Sequence, residues 1–475
     1  MIVISDSPFS YTFFGRGERS LRVATSTNPR THTSGQNQAT RSPSKKEWLR
    51  LTTPEEKRPV DPGSKSERET FQSMNDVREA AQKLDFHPLN AFVASVAGGV
   101  DARSVDAPDR EHVEELEVSV KDYYSKPVKV EMGLHNGPDA PMLMIYPGIY
   151  GSRDGGFPKA FKKIALERGM NYAIVPNPLN PEMLDGEPDH HPGNIQIEAE
   201  IMHAVLRQLR GSKPEYFDQV SLAGYSYGAL LAANVAKYDE LRSEHEGRRM
   251  VQGGVVALSP PQNLFHSMLE LDSLREGYEE GAGSTTATGV YYTREVSKYG
   301  YENFMESKLA ERGEGENATE MKIADEYGSR EEMKDMVVQV DEQFGHNHLP
   351  PKWPDYFKRK KVINEMTYDQ YSAEWFSKDP WLVEEGLTPE QLAADNSFKA
   401  ALDELDHTPV LTLLSQDDYI LNQEDVDTFR QLEKTSNGLE YTRVMDHGGH
   451  VGLIFNPEVQ EIIGDFAFSA EGLKD

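Results

Sequence analysis

The chain has 475 residues, with 79 acidic against 50 basic side chains and a formal net charge of −29. That length suits one large domain carrying an insertion and a tail, and the charge argues against a nucleic-acid partner, because a phosphate backbone demands a basic surface. There is no cysteine, which removes disulfides, thiolate metal sites and cysteine nucleophiles together, and no apolar run reaches the roughly 18–20 residues of a membrane helix.

Residues 1–82 read as a tail. Up to Arg50 there are eight Lys or Arg against three Asp or Glu, a net +5 inside a very acidic protein. The run from Ser26 through Ser44 is rich in Ser, Thr, Asn and Pro. With so little to bury, such a stretch cannot offset the entropy of folding, and disorder is the expectation. The same basic, acid-poor composition also resembles an organelle-targeting segment. Without one, a cytoplasmic protein is expected.

Residues 83–260 read as the first part of an α/β core. Val113, Leu116, Val118 and Val120 approach strand alternation, and Val128, Val130 and Met132 repeat it beyond Lys126-Pro127. An antiparallel pair at a sheet edge follows. Pro141–Tyr146 is apolar on both faces, as a strand buried between helix layers must be, and Asn171–Val175 is another such strand. Phe161–Arg168 and Ile195–Leu209 read as helices, the second with Ile197, Ile201, Val205 and Leu209 spaced along one face. Strands alternating with helices predict a mostly parallel sheet with helices on its flanks.

The most informative segment is Val220–Leu231, where a short buried strand runs into Gly224-Tyr225-Ser226-Tyr227-Gly228 and then a small-residue helix. A serine on so sharp a strand-to-helix turn needs small residues two positions away on either side, and Gly224 and Gly228 supply them. Ser226 is therefore the candidate nucleophile. The helix that follows aims its dipole at the site, and the Tyr227 N–H is a candidate oxyanion donor. A second donor should come from the loop after the third strand, where Ile149 lies in Pro147–Ser152.

Between Pro261 and His407 lies a stretch the sheet does not need. Pro260-Pro261 halts a strand, Leu264, Met268 and Leu271 space out as a helix face, and Gly277–Thr288 reads as a mobile loop. Residues 261–407 are expected to form a helical cap over the site, shaping substrate choice and excluding water. Residues 270–342 hold 19 acidic against 8 basic side chains, read either as a solvated face or as a bias towards a cationic substrate. Trp353, Tyr356, Phe357, Trp375, Phe376 and Trp381 either line an acyl pocket or pack the cap. His190-His191 and His346-Asn347-His348 lack the helical spacing of a zinc motif, so no metal or cofactor is expected.

Residues 408–475 complete the core. Thr408–Leu414 is a buried strand leading into Ser415-Gln416-Asp417-Asp418, and Leu439–Met445 leads into Asp446-His447-Gly448-Gly449-His450. A serine hydroxyl needs a base, itself oriented by an acid, and in this kind of fold the chain order is Ser, acid, His. Asp418 is the candidate acid, with Asp417 as the alternative. His450 is preferred to His447 because it follows the paired glycines and precedes Val451–Phe455, an apolar segment able to anchor the loop.

These residues resemble the α/β-hydrolase superfamily and, within it, the YheT-like esterases. The matching pieces are Pro147–Ser152, His190–Asn194, Gly224–Gly228, Ser259–Pro261, Ser415–Asp418 and Gly448–Gly452, in the family's order over residues 110–460. The pattern departs from the family's at Pro147, where histidine is usual, and at Tyr419, where proline is usual. The resemblance implies a Ser226–Asp418–His450 triad acting on a carboxylic ester or acyl lipid, a small-molecule substrate. A peptidase or amidase is the alternative within the class, an acyltransferase a further one, and a non-catalytic binding protein the alternative outside it.

Overall fold

The computed structural model describes residues 70–84, 95, 112–279, 333–346, 348–351, 356–435 and 438–473. Eight strands form one sheet: β1 (Val113–Val118), β2 (Val128–Gly133), β3 (Met142–Tyr146), β4 (Asn171–Ile174), β5 (Val220–Tyr225), β6 (Val255–Leu258), β7 (Val410–Ser415) and β8 (Glu440–Met445). Their spatial order is β1-β2-β4-β3-β5-β6-β7-β8. β2 runs antiparallel to both β1 and β4, and the remaining pairings are parallel. The antiparallel pair read from residues 113–132 is therefore present, and it stands at one edge.

The helices that position the site are α1 (Met74–Gln82), α2 (Gly156–Glu167), α3 (Ile195–Ser212), α4 (Tyr227–Glu246), α5 (Leu264–Glu279), α6 (333–344), α7 (Tyr356–Glu365), α8 (Tyr368–Glu374), α9 (Pro380–Glu385), α10 (Pro389–Asp395), α11 (Phe398–Asp403), α12 (Gln423–Thr435) and α13 (Pro457–Ser469). Because successive strand residues point to opposite faces, a central strand apolar throughout feeds two cores. Met142, Met144 and Tyr146 of β3 join Val205, Leu230 and Phe429 from α3, α4 and α12. Leu143 and Ile145 join Val77, Phe161 and Phe466 from α1, α2 and α13. The sheet is thus a buried middle layer with its carboxyl ends facing one rim, the place where open α/β sheets put their sites.

Two boundaries differ from the sequence reading. The sequence places the tail up to residue 82, yet α1 lies inside it and belongs to the core: Met74, Val77 and Ala81 are buried on one helical face. Ser73 and Asp76 form a reciprocal capping box at its start. That S-x-x-D signal was present in the sequence, but short helices are easily lost beside a long polar tail. The loop drawn from Gly277 begins later, since α5 continues to Glu279; the rest of that loop, and most of the tail, lie outside the described residues.

At the start of β8, burial and, after it, the nearby Asp403 carboxylate push the Glu440 carboxyl up to about 7 from the usual 4.5, with Lys399 opposing them. A carboxyl whose folded pKa is raised costs stability as pH climbs from the unfolded value through the folded one. Glu440→Gln is therefore expected to raise the melting temperature at pH 8, with the gain shrinking to nothing near pH 4; an equal gain at both would remove the electrostatic cause.

Candidate active site

Ser226 sits between β5 and α4 with φ 53° and ψ −132°, a strained conformation for a residue with a Cβ. The strain is imposed by close packing of backbone. A Cβ on Gly224 would lie 2.1 Å from the Gly228 carbonyl oxygen, and one on Gly228 would lie 2.0 Å from that of Tyr146. Both positions therefore exclude any side chain, and the turn is held by the Ser226 N–H donating to the Leu258 oxygen at 2.9 Å. The outcome is a serine at the carboxyl end of a central strand and at the head of a 20-residue helix.

The chain brings His450 to that serine across 224 positions of sequence. Its Nε2 lies 2.9 Å from Ser226 Oγ, and its Nδ1 lies 2.9 Å from Asp418 Oδ2 and 3.1 Å from Oδ1. The Asp418 carboxylate is fully buried and also accepts from the Ile420 N–H at 3.2 Å. Asp417 points elsewhere, accepting from the Gly449 N–H at 2.9 Å and facing the His447 ring at 3.5 Å. So Asp418 and His450 meet Ser226, whereas the alternative acid and the competing histidine meet each other. The Tyr419 ring stands edge-on to the imidazole, centroids 5.8 Å apart.

The strand order together with this strained turn at the end of β5 decides the architecture. It is an α/β-hydrolase fold. No protein-family model and no curated protein matches the chain. Among solved structures it is similar to the esterase Pf2001 of Pyrococcus furiosus, at 13% identity and TM-score 0.38 over 74% of this chain and 88% of that one. It is also similar to an esterase from Pyrobaculum calidifontis, at 14% identity and TM-score 0.39 over 84% and 96%. A third is the proline iminopeptidase of Mycobacterium smegmatis, at 12% identity and TM-score 0.37 over 75% and 99%.

Within the hydrolase fold, the turn after β3 lies against the serine: a Cβ on Gly148 would come within 3.1 Å of the Ser226 Cβ. Asn177 Nδ2 donates to the Pro147 oxygen at 3.0 Å and Asn180 Nδ2 to the Tyr150 oxygen at 2.7 Å. These two asparagines hold the loop that carries Ile149, and sequence reasoning missed them. The signal was the turn-forming run Asn177-Pro178-Leu179-Asn180-Pro181 just beyond β4. Tyr227 is anchored from behind, its buried hydroxyl donating to Glu198, which also accepts from the Gly193 N–H at 2.7 Å. Burial, and then the Glu198 charge, push the Tyr227 hydroxyl far above its ordinary value, so it stays a donor. Tyr227→Phe leaves that buried acceptor short of a partner and is expected to cost about 1–3 kcal/mol in denaturant unfolding; no change in midpoint would show the pair to be dispensable.

The histidine pairs tie the loop before α3 to the insertion. His191 N–H donates to Asp379 Oδ2 at 2.6 Å, its ring Nδ1 lies 3.3 Å from the same oxygen, and its Nε2 lies 2.6 Å from His346 Nε2. Burial works to raise Asp379, yet the His191 ring and the backbone N–H groups of His191 and Leu382 outweigh it and hold the carboxyl below the usual range. Asp379 stands on Nδ1 and His346 on Nε2, so both ring nitrogens of His191 have a partner. Among the described residues no group of three His, Asp or Glu has the arrangement to hold a metal ion. Trp375 is buried and donates to Asp341 at 3.2 Å, and Tyr371 donates to the Pro192 oxygen at 2.8 Å. Phe376 is buried and Trp381 half-buried against the same core, while the side chains of Trp353, Tyr356 and Phe357 lie outside the described residues.

Proposed function

We propose that the chain is a serine hydrolase that cleaves a carboxylic ester or acyl lipid through an acyl-enzyme. The observation that carries this reading is the unbroken relay from buried Asp418 through His450 to Ser226, with each link at 2.9 Å. In this reading Ser226 Oγ attacks the ester carbonyl while His450 Nε2 takes its proton. His450 then returns that proton to the leaving alcohol, and water repeats the cycle on the acyl-enzyme to release the acid. Asp418 holds the imidazole in the productive tautomer. The N–H groups of Tyr227 and Ile149 are the oxyanion donors in this reading; neither has a backbone acceptor among the described residues, and Tyr227 opens α4, where N–H groups are unspent.

Residues 261–407 act as the cap in this proposal. α5 packs on α8 and α10, and α10 in turn on α3, so the insertion is built out from the core next to the loop that bears His191. Pro192, Ile195, Leu264, Met268, Phe376 and Leu392 line a small apolar gap where the two meet. The motifs shared with the YheT-like esterases support the same substrate class. No helix among the described residues is long and apolar enough to cross a membrane.

The test is a panel of p-nitrophenyl esters of increasing acyl length beside aminoacyl p-nitroanilides. Turnover of the esters alone supports the proposal, and turnover of the anilides alone replaces it with a peptidase. Neither substrate turning over, with no fluorophosphonate label taken up, replaces it with a binding protein on a hydrolase fold.

A further inference from the structure

The loop that delivers His450 has little conformational preference of its own. Gly448 and Gly449 sit at φ 146° and 59°, and glycine pays the largest entropy to be held in one state. Around the imidazole, however, consecutive backbone groups are taken by side chains from other elements. Gly449 N–H donates to Asp417 Oδ1 at 2.9 Å, and Ser415 Oγ donates to the Gly449 carbonyl at 2.8 Å. His450 N–H donates to Ser95 Oγ at 2.8 Å, and Val451 N–H to Ser259 Oγ at 3.1 Å.

We propose that Asp417 is a positioning residue for His450: the two adjacent aspartates beyond β7 divide the work, Asp418 orienting the imidazole and Asp417 fixing the backbone one residue before it. The inference rests on the roles given above to Ser226 and His450. Three observations support the division. Asp418 is fully buried and faces the ring, whereas the Asp417 side chain keeps 24% of its surface exposed and faces backbone. Gly449 is gripped on both its N–H and its carbonyl, by Asp417 and Ser415 respectively, which fixes the two peptide groups that flank it. Finally, the second oxygen of Asp417 faces His447 at 3.5 Å, so one carboxylate spans the loop from its entry to the residue before His450. An imidazole displaced by even an ångström from the serine loses its proton-transfer geometry.

The experiment compares wild type, Asp417→Asn, Asp417→Ala and Ser415→Ala, with Ser226→Ala as the blank. It reads the fluorophosphonate labelling rate, kcat and KM on p-nitrophenyl acetate, and the far-downfield proton of the His450 Nδ1–H to Asp418 bond by NMR. Asp417→Ala is expected to lower the labelling rate and kcat on the order of 100-fold while KM stays within about twofold. Its downfield proton is expected to broaden away. Asp417→Asn keeps an acceptor oxygen for Gly449 and is expected to retain the proton and most of kcat. Ser415→Ala frees the same residue at its carbonyl and is expected to lower kcat with KM held, which keeps the question answerable if Asp417→Ala does not fold. Full kcat in a folded Asp417→Ala overturns the proposal, as does full kcat in Ser415→Ala if Asp417→Ala does not fold, and so does an Asp417→Asn loss as large as that of Asp417→Ala, which would assign the effect to charge. A folded wild type that takes no label would defeat the hydrolase reading instead. The imidazole proton does not depend on serine reactivity and would then decide alone, its persistence in Asp417→Ala overturning the positioning role.

Discussion

Ser226→Ala is expected to abolish fluorophosphonate labelling and to lower kcat for esters on the order of a million-fold, down to what binding and oxyanion donors achieve by themselves. The size follows from chemistry, since no other group at the head of α4 can form the acyl-enzyme and water must then attack unaided. The substitution is also structurally mild. The Ser226 side chain makes no capping hydrogen bond to α4, and alanine bears the same positive φ with the same Cβ. The melting temperature should therefore hold while activity vanishes. Measurement of both on one preparation checks the claim. Label retained on Ser226→Ala would place the nucleophile elsewhere, and a collapsed melting curve would make the serine structural.

Asp418→Asn is expected to lower kcat by about 10⁴-fold with the fold intact. The cause is the tautomer. A carboxylate 2.9 Å from His450 Nδ1 requires the proton on that nitrogen and leaves Nε2 free to accept from Ser226. The asparagine amide, if its Nδ2 faces the ring, donates to Nδ1 instead and moves the proton to Nε2, where it opposes the serine hydroxyl. The Ile420 N–H keeps an acceptor at 3.2 Å if the amide oxygen turns towards it, which holds the amide in that blocking orientation. Steady-state kinetics against Asp417→Asn make the comparison internal: the neighbour should stay within about twofold of wild type, since it meets backbone and not the ring. Equal losses in the two variants would mean that the acid is shared, and a loss confined to Asp417→Asn would reverse the assignment.

Much of this was legible because the elements concerned are local. Each of β3, β5 and β7 is a short, mostly apolar segment that is buried throughout and ends in a turn, and the sequence reading lies within two residues of the observed ends. The G-Y-S-Y-G turn was legible for a sharper reason, since backbone contacts of 2.0–2.1 Å leave room for glycine only. The α1 helix was missed because a nine-residue helix carries a weak periodic signal, and its burial depends on β8 and α13, hundreds of residues away. Asp418 is preferred to Asp417 only as the later position beyond the strand, a weak cue, since neighbours on one turn share almost every local signal.

The sequence by itself therefore determined the strands, the order of serine, acid and histidine, and the two glycines that shape the turn. All of these are consequences of local sterics and of periodic burial. Only the tertiary structure decided which aspartate meets the imidazole. It alone showed that Asn177 and Asn180 hold the turn after β3, and that Ser95, Ser259 and Ser415 clamp the histidine loop. Those contacts join residues between 30 and 355 positions apart, and a hydrogen bond across such a gap leaves no mark on the residues between, because it is the fold and not the chain that makes the partners neighbours.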